Sequence, residues 1–140
     1  MTHAGEVAAQ EDLPLLTFDV VRDICEFPEF AMTVTAEEVA EYRSVTGTAD
    51  QGETVPPGYA AVFGRLGYLR RHRMPGGGVL LGQEIRWMRP AALGEPLEIK
   101  TVVESAVEDA RCRRKAVFVT TARQHGEHVA TVRIVAGWPV

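Results

Sequence analysis

Residues 87–97 of the chain read WMRPAALGEPL, a strand that ends in Arg-Pro and leads into a short turn with Gly94 and the acid Glu95. The stretch that precedes this strand, residues 56–69, reads PPGYAAVFGRLGYL and has the pattern of a helix interrupted by glycines. A helix, then a strand that closes in Arg-Pro, then a turn with glycine and an acid is a distinctive order of elements. The fold prediction depends on this order, and the flanking segments agree with it.

The apolar spacing predicts a helix over residues 56–69. Pro56 and Pro57 can open it, because the first helical turn needs no N–H donors. Apolar residues then recur at helical spacing, at Tyr59, Val62, Phe63, Leu66 and Leu69. Gly64 and Gly67 lie in the interior, where a glycine costs about 1 kcal/mol relative to alanine. We therefore expect a sheet to approach the helix closely at these two glycines.

A second helix is predicted before the central one. Residues 30–34 have the composition of a strand that leads into a helix cap. Thr35, followed three residues later by Glu38, forms a capping box, in which the threonine accepts a backbone N–H and the glutamate reaches back. The helix is expected over residues 36–44, with Gly47 beyond its end.

The remainder of the chain predicts mainly strands. Residues 13–30, bounded by prolines, fit either one strand or a short helix. After the glycine turn at 76–78, β-branched residues and alternating patterns predict four strands, over residues 79–88, 97–107, 116–122 and 129–136. Residues 124–127 read as a hairpin turn with glycine, and Gly137 and Pro139 are expected to end the last strand.

These elements predict one α+β domain in which an antiparallel sheet wraps a long central helix. A chain of 140 residues is long enough for one domain with a single core. We predict a flexible N-terminus over residues 1–12 and the folded domain over residues 13–140.

Composition excludes several classes of function. The net charge of −4 argues against nucleic acid as a bulk partner. No apolar run approaches the roughly 20 residues of a membrane span, and the first residues lack the pattern of a signal peptide. We therefore expect a cytoplasmic protein that does not bind membranes. Cys25 and Cys112 are far apart, and the sequence contains neither metal-ligand spacing nor a phosphate-binding loop; no metal and no cofactor are predicted.

Three motifs resemble the MaoC-like branch of the hotdog fold. Residues 33–42, TVTAEEVAEY, are similar to the strand and capped first helix of that family. Residues 56–59, PPGY, are similar to the start of its central helix. Residues 87–90, WMRP, with Gly94 and Glu95, resemble its strand-to-turn signature, where the acid after glycine is usually Asp. The resemblance covers about residues 30–137.

The resemblance implies a single hotdog domain whose ligands are acyl thioesters of coenzyme A or of an acyl carrier protein. It implies an (R)-specific enoyl hydratase or dehydratase that acts on enoyl or 3-hydroxyacyl thioesters. A lone hotdog has an exposed sheet edge and half of a ligand tunnel, so a homodimer, or a heterodimer with another hotdog protein, is expected. In this family the sites lie at the subunit interface.

The catalytic motif of the family is absent. Active members carry an Asp and a His in a Gly-Asp-x-Asn-Pro-x-His stretch after the first helix, whereas residues 46–54 here read TGTADQGET, without His or Asn-Pro. Asp50 and Glu53 are the acids just before the central helix. As catalytic groups they would activate water or protonate a leaving group; as loop residues they would only favour the helix N-terminus electrostatically.

The start of the central helix supplies two candidate binding residues. A helix N-terminus presents unpaired N–H groups and a partial positive charge, and Gly58 lets a ligand approach this backbone. A thioester carbonyl seated there would be polarised. Alternatively, Gly58 only relieves crowding after two prolines. Tyr59 would either bond a substrate oxygen or pack in the core.

Two basic clusters stand out in this acidic chain. One, at the end of the central helix, includes the candidate substrate-binding residues Arg70 and Arg71 together with Arg73; the other comprises Arg111, Arg113, Arg114 and Lys115. They would receive the phosphates of coenzyme A or the acidic face of a carrier protein, or they are simply solvated. His72, among the arginines, is expected to be solvated, and His125 and His128 flank a turn.

Three functions remain open from the sequence. The first is a MaoC-like hydratase or dehydratase with a rebuilt site. The second is a non-catalytic hotdog subunit that binds the acyl chain and completes a heterodimer with a catalytic partner. The third is a thioesterase that uses Asp50 or Glu53. The acyl length, the carrier and the pathway cannot be read from the sequence.

Overall fold

The computed structural model describes residues 12–47 and 53–139. Along the chain the elements are α1 (Phe18–Asp23), β1 (Phe30–Thr33), α2 (Ala36–Thr46), a 3-10 turn (Pro57–Tyr59), α3 (Ala60–Leu69), β2 (Val79–Trp87), β3 (Pro96–Glu108), β4 (Arg114–Gln124) and β5 (Glu127–Trp138). Of the predicted N-terminal segment, residues 1–11 lie outside the described residues. In the part of the chain that is described, no helix is long and apolar enough to cross a membrane.

The strands form one antiparallel sheet in the order β1-β3-β4-β5-β2. All four predicted strands after the central helix are present. The predicted hairpin joins β4 to β5, with positive φ angles of 55° at His125 and 77° at Gly126; two such residues give the turn that matches the twist of antiparallel strands. The prediction that Gly137 ends the last strand is wrong. Gly137 pairs with Val79 on one side and with Lys115 on the other, so β5 continues to Trp138.

The two N-terminal helices begin at side-chain caps. Residues 13–30 were predicted to form either one strand or a short helix, and the structure has helix α1 there. The Thr17 hydroxyl accepts the Val20 N–H at 3.3 Å. In α2 the predicted capping box is confirmed: the Glu38 N–H donates to Thr35 Oγ1, and the Thr35 N–H donates to Glu38 Oε1, each at 3.1 Å. Helix α2 ends at Gly47, whose φ of 74° is left-handed, as is usual for a glycine at this position.

The central helix lies against one face of the sheet, and its glycines make this contact possible. A Cβ atom at Gly64 would lie 2.8 Å from Val132 Cγ1, and one at Gly67 would overlap Thr101 Oγ1. The predicted close approach of the sheet is therefore confirmed. As a result the glycine side of α3 is buried, while Val62 and Leu66, predicted to be apolar contact positions, are only half-buried.

The core fills the space between α3 and the sheet. Its largest fully buried side chains are Phe63, from the helix, and Phe118, from β4. Tyr68 stacks on Phe118 with the ring centroids 4.3 Å apart. Trp138 closes the core beneath α1, where its indole N–H donates to the Leu16 carbonyl at 2.9 Å. Full burial of an aromatic side chain of this size stabilises a fold by roughly 1.5–3 kcal/mol, so this layer holds the helix on the sheet.

Candidate functional site

The start of the central helix is held in place by the stretch that follows β2. The Val55 N–H donates to the Ala91 carbonyl at 2.9 Å. The indole N–H of Trp87 donates to the Pro57 carbonyl at 3.0 Å. The segment over residues 87–97 therefore holds the start of the helix in place.

A buried glutamine on β4 supports this turn. The Gln124 side chain is 5% exposed. Its Oε1 accepts the Ala92 N–H at 2.8 Å, and its Nε2 donates to the carbonyls of Ala92 and Glu95 at 3.1 and 3.2 Å. Gly94 closes the turn with a φ of 78°, and its N–H donates to Val34 O at 2.8 Å. Gln124 is not predicted from the sequence. The signal that could have found it is its alternation with Thr120 and Ala122, which places a polar residue on the face of β4 that meets the helix.

Gly58 lies at the tip of the helix with its N–H free. Among the described residues, no backbone or side-chain acceptor bonds this N–H. The hydroxyl of Tyr42, from α2, lies over the same position: a Cβ atom at Gly58 would be 2.5 Å from it. The glycine therefore makes room for Tyr42, and a phenol hydroxyl and a backbone N–H are brought together at the helix start. In the sequence, Tyr42 is only the last residue of the stretch 33–42 that resembles the family's first helix, and no role is predicted for its hydroxyl.

Tyr59 belongs to a chain of aromatic rings below the tip. Its ring packs edge-on to Tyr42 and Phe63, with centroids 5.3 and 6.1 Å away, and Phe63 in turn contacts Trp87. Burial raises the pKa of the Tyr59 phenol, and the charge and hydrogen bond of Glu38 raise this pKa further. The phenol is consequently a proton donor at neutral pH and not a base.

A cavity of about 840 Å³ lies beside this tip, between α2 and the turn. Glu53 is on its wall, and the Glu53 carbonyl accepts the Leu93 N–H at 3.3 Å. Arg43 and Glu95 also line it, whereas Gly58 and Tyr59 do not. Asp50, the other candidate catalytic acid, lies outside the described residues.

The described histidines lie on the β4–β5 hairpin and after α3, and one of them, His125, contacts the cavity-lining residue Glu95. On the β4–β5 hairpin, His125 Nε2 lies 2.6 Å from Glu95 Oε1, and His128 Nε2 lies 2.7 Å from Thr131 Oγ1. His72 follows the far end of α3. The prediction that His72 is solvated holds only in part, because the residue is half-buried: its ring packs edge-on to Phe27, and among the described residues its buried Nδ1 has no hydrogen-bond partner. Burial lowers the pKa of this imidazole.

The arginines proposed to bind substrate are distant from Gly58. Twelve residues separate Gly58 from Arg70, which is about 18 Å along a helix at 1.5 Å per residue. The Arg70 guanidinium lies over the Phe30 ring at 4.7 Å, and Arg73 Nε donates to the Leu13 carbonyl at 2.9 Å. Arg71 is exposed. The structure thus brings Gly58 and Tyr59 together and leaves Arg70 and Arg71 at the opposite end of the helix.

One central helix against a five-stranded antiparallel sheet in the order β1-β3-β4-β5-β2 is the hotdog fold, and the chain is a hotdog protein. Its structural neighbours include MaoC-like (R)-hydratases, so the resemblance that the sequence motifs indicate is confirmed at the level of the fold. No family model matches the chain, and a comparison with curated protein sequences finds no match.

Three solved structures illustrate this likeness. The (R)-hydratase from A. caviae involved in PHA biosynthesis is 20% identical, with a TM-score of 0.64 over 83% of this chain and 96% of that protein. The HadBC (3R-hydroxyacyl-ACP dehydratase) complex from Mycobacterium tuberculosis is 16% identical, with a TM-score of 0.67 over 81% and 93%. The ChsH1–ChsH2 complex from the same organism is 13% identical, with a TM-score of 0.64 over 86% and 87%.

Proposed function

We propose that the chain is an acyl-thioester-binding hotdog protein of the hydratase and dehydratase type, with enoyl or 3-hydroxyacyl thioesters as ligands. The observation that carries this proposal is the free Gly58 N–H at the start of a buried helix. Such an N–H, aligned with the helix dipole, favours an oxygen that carries partial negative charge. A thioester carbonyl is such an oxygen, and its polarisation is the electrophilic half of enoyl hydration.

The Tyr42 hydroxyl adds a second donor at the same point. Two donors that converge on one oxygen form the arrangement that stabilises a developing oxyanion. The phenol of Tyr59, with its raised pKa, also stays protonated, and its hydroxyl is hydrogen-bonded to Glu38. The tip of the helix is therefore rich in donors, which suits the carbonyl of an acyl thioester.

Hydration also requires a general base, and in this proposal the base is a carboxylate. Glu53 lies on the wall of the adjacent cavity, where a carboxylate has access to water. Asp50 is the second candidate from the sequence. In this assignment one of them activates water while the helix tip holds the carbonyl.

A second candidate function is a non-catalytic subunit that completes a heterodimer. The observation that favours it is a helix tip that offers donors, while the described histidines lie on the β4–β5 hairpin and beyond the far end of α3. HadBC and ChsH1–ChsH2 are named as complexes. Strand β2, at the sheet edge with its other edge unpaired among the described strands, offers the place for a second hotdog chain to pair. A thioesterase is the third alternative.

The role of the free Gly58 N–H can be tested by removing this N–H. In a Tyr42→Phe background, which gives a side chain at position 58 room, Gly58→Ala keeps the N–H and Gly58→Pro deletes it. We expect the proline variant to bind an enoyl-coenzyme A about tenfold more weakly than its alanine control, the loss of one good hydrogen bond. Equal affinities in two variants with equal melting temperatures would refute the carbonyl site.

Activity measurements separate the three functions. Hydration by the purified chain appears as loss of enoyl-thioester absorbance, and thioesterase activity appears as free thiol. Loss of hydration in Glu53→Gln or Asp50→Asn identifies the base. A chain that is inactive alone but supports hydration when combined with a catalytic hotdog partner is the subunit of the second candidate function.

A further inference from the structure

The exposed apolar side chains of this protein are concentrated at one end of the sheet. Val79, Leu80, Leu81 and Val107 are 55%, 59%, 56% and 56% exposed. Three of these four line one groove of about 730 Å³, which is within the range of small-molecule sites, about 300–1,000 Å³. We call it the outer-face groove, and besides these three side chains it is lined by Asp109, Arg113, Arg114, Lys115 and Gly137.

The outer-face groove lies on the side of the sheet that faces away from the central helix. On β5 the buried side chains Ala136 and Trp138 point towards the core, so the intervening Gly137 faces the opposite side. Gly137 forms the floor: a Cβ atom there would lie 3.6 Å from Leu81 Cδ1. Eight residues along β2 separate Val79 from Trp87, about 26 Å at 3.3 Å per residue. The groove is therefore distinct from the helix tip and its neighbouring cavity.

The rim of the groove is basic, although the protein carries a net charge of −4. Arg113 is held by Asp109, with Nε 2.8 Å from Oδ2, and Arg114 lies 3.6 Å from Glu108. Lys115 is exposed and forms no ion pair with any described residue. One ammonium group is thus left uncompensated beside an apolar floor.

The apolar floor and the uncompensated Lys115 ammonium together indicate which ligand the groove binds. A second copy docked face to face on the groove would bring the same basic rim against itself, which like charges oppose. An unbranched chain that ends in one negative charge matches both parts, with its alkyl portion on the apolar walls and its head group at Lys115. A single ammonium balances the single charge of a carboxylate.

We propose that the outer-face groove is a binding site for a fatty carboxylate, independent of the acyl-thioester site. The carboxylate pairs with Lys115, and the alkyl chain lies over Gly137 between Val79 and Leu81 on one side and Val107 on the other. Pairing of β2 with another hotdog chain uses backbone groups at the strand edge and leaves these face-directed side chains open.

The test is a titration of the full-length protein with decanoate below its micellar concentration, followed by amide NMR. We expect the shifts to concentrate at Val79, Leu81, Val107 and Lys115. Leu81→Gln should weaken binding about tenfold, because it removes apolar contact with the chain. Leu80→Gln is the matched control, since Leu80 is equally exposed and lies outside the groove.

The head group is tested in the same titration. Lys115→Glu should weaken decanoate binding about fivefold, as expected for the loss of one partly exposed ion pair. Arg123→Glu, an exposed charge reversal further along β4, should have no effect. Decyl phosphate and decyltrimethylammonium compare the head groups, and decanoate should bind most tightly.

Several results would overturn the proposal. One is decanoate shifts confined to residues 36–44 and the helix tip. Others are equal losses in the two leucine variants or in the two charge variants, and tighter binding of decyl phosphate. Displacement of decanoate by an acidic amphipathic peptide of higher affinity would reassign the groove to a protein partner. Loss of enoyl-thioester binding in Gly58→Pro leaves this titration unchanged, so the two proposals fail separately.

Discussion

The two ends of the central helix contrast in how they use the same residue type. At the carboxyl end, Gly67 lets the helix touch the sheet, directly over the hydrogen-bonded hydroxyls of Thr101 and Thr120, which are 2.6 Å apart and buried. At the amino end, Gly58 is exposed and makes room only for the Tyr42 hydroxyl. The glycine at the carboxyl end serves packing against the sheet, and the glycine at the amino end gives space to a hydroxyl from another helix. The contrast yields four predictions.

The largest effect is expected from Gly67→Ala. A methyl group there overlaps Thr101 Oγ1 and lies 2.8 Å from Thr120 Oγ1, so we expect a loss of about 3 kcal/mol in the free energy of unfolding. Chemical denaturation measures it. Gly76→Ala, where a Cβ atom meets nothing within 4 Å, should be nearly neutral. A gain in stability at position 67, as helix propensity alone would give, would show that the helix does not lie this close to the sheet.

Gln124→Ala should be next in size and should act at the amino end. The change leaves the partly buried N–H and carbonyl of Ala92 without their side-chain partner, at a cost of about 2 kcal/mol. Hydrogen exchange of the Ala92 amide should accelerate beyond the change in global stability, because the turn loosens locally. The exposed Gln83→Ala on β2 is the control. Unaltered Ala92 exchange would mean that Gln124 does not hold the turn.

Gly58→Ala should cost less than Gly67→Ala, about 1 kcal/mol, because only the Tyr42 hydroxyl has to move. Tyr42→Phe removes that hydroxyl, and the double variant should recover the loss. A double-mutant cycle on unfolding free energies measures the coupling between the two positions. Additive effects would indicate that Tyr42 does not contact position 58, and the two-donor site of the proposed function would lose one donor.

The smallest effect is the pH dependence that His72 imposes at the carboxyl end. Burial lowers the pKa of His72 in the folded protein. The neutral imidazole therefore contributes its full stabilising free energy only above the pKa of histidine in the unfolded chain, about 6.5. This contribution declines as the pH falls from there through the folded pKa, since the unfolded chain takes up the proton first. His72→Phe should flatten the pH dependence of the unfolding free energy below about pH 6.5, which chemical denaturation at a series of pH values measures. An unchanged slope in His72→Phe would place the titrating group elsewhere.

The sequence predicts those parts of the molecule that depend on neighbours in the chain. The Thr35–Glu38 capping box, the hairpin at Gly126 and the glycines of α3 each carry a local signal, and each is present. The contacts that build the site arise between elements distant in sequence. Gln124 reaches a turn some 30 residues upstream, and the Tyr42 hydroxyl meets Gly58 from another helix; neither contact follows from local pattern. The partial burial of His72 is of the same kind, since it depends on Phe27, which is distant in sequence.

The same distinction explains what the sequence leaves open about function. The helix start at Gly58 could be recognised because prolines and a glycine mark it. Helix geometry places Gly58 and Arg70 at opposite ends of the central helix, although both residues belong to the same predicted helical region. Glu53 lines a cavity only because helix α2 and the turn at Leu93 form the other walls of that cavity. The position of the candidate base therefore has no local signal in the sequence, whereas the helix start at Gly58 has one.

The indole hydrogen bonds at the two ends of the helix have a practical consequence. The chain contains two tryptophans; Trp87 donates to the Pro57 carbonyl beside the proposed ligand, and Trp138 donates to Leu16 O in the core. Each indole is therefore a built-in fluorophore for one region. A Trp138→Phe protein should report thioester occupancy through its emission, and a Trp87→Phe protein should report only unfolding, so that binding and melting can be followed separately without any attached dye.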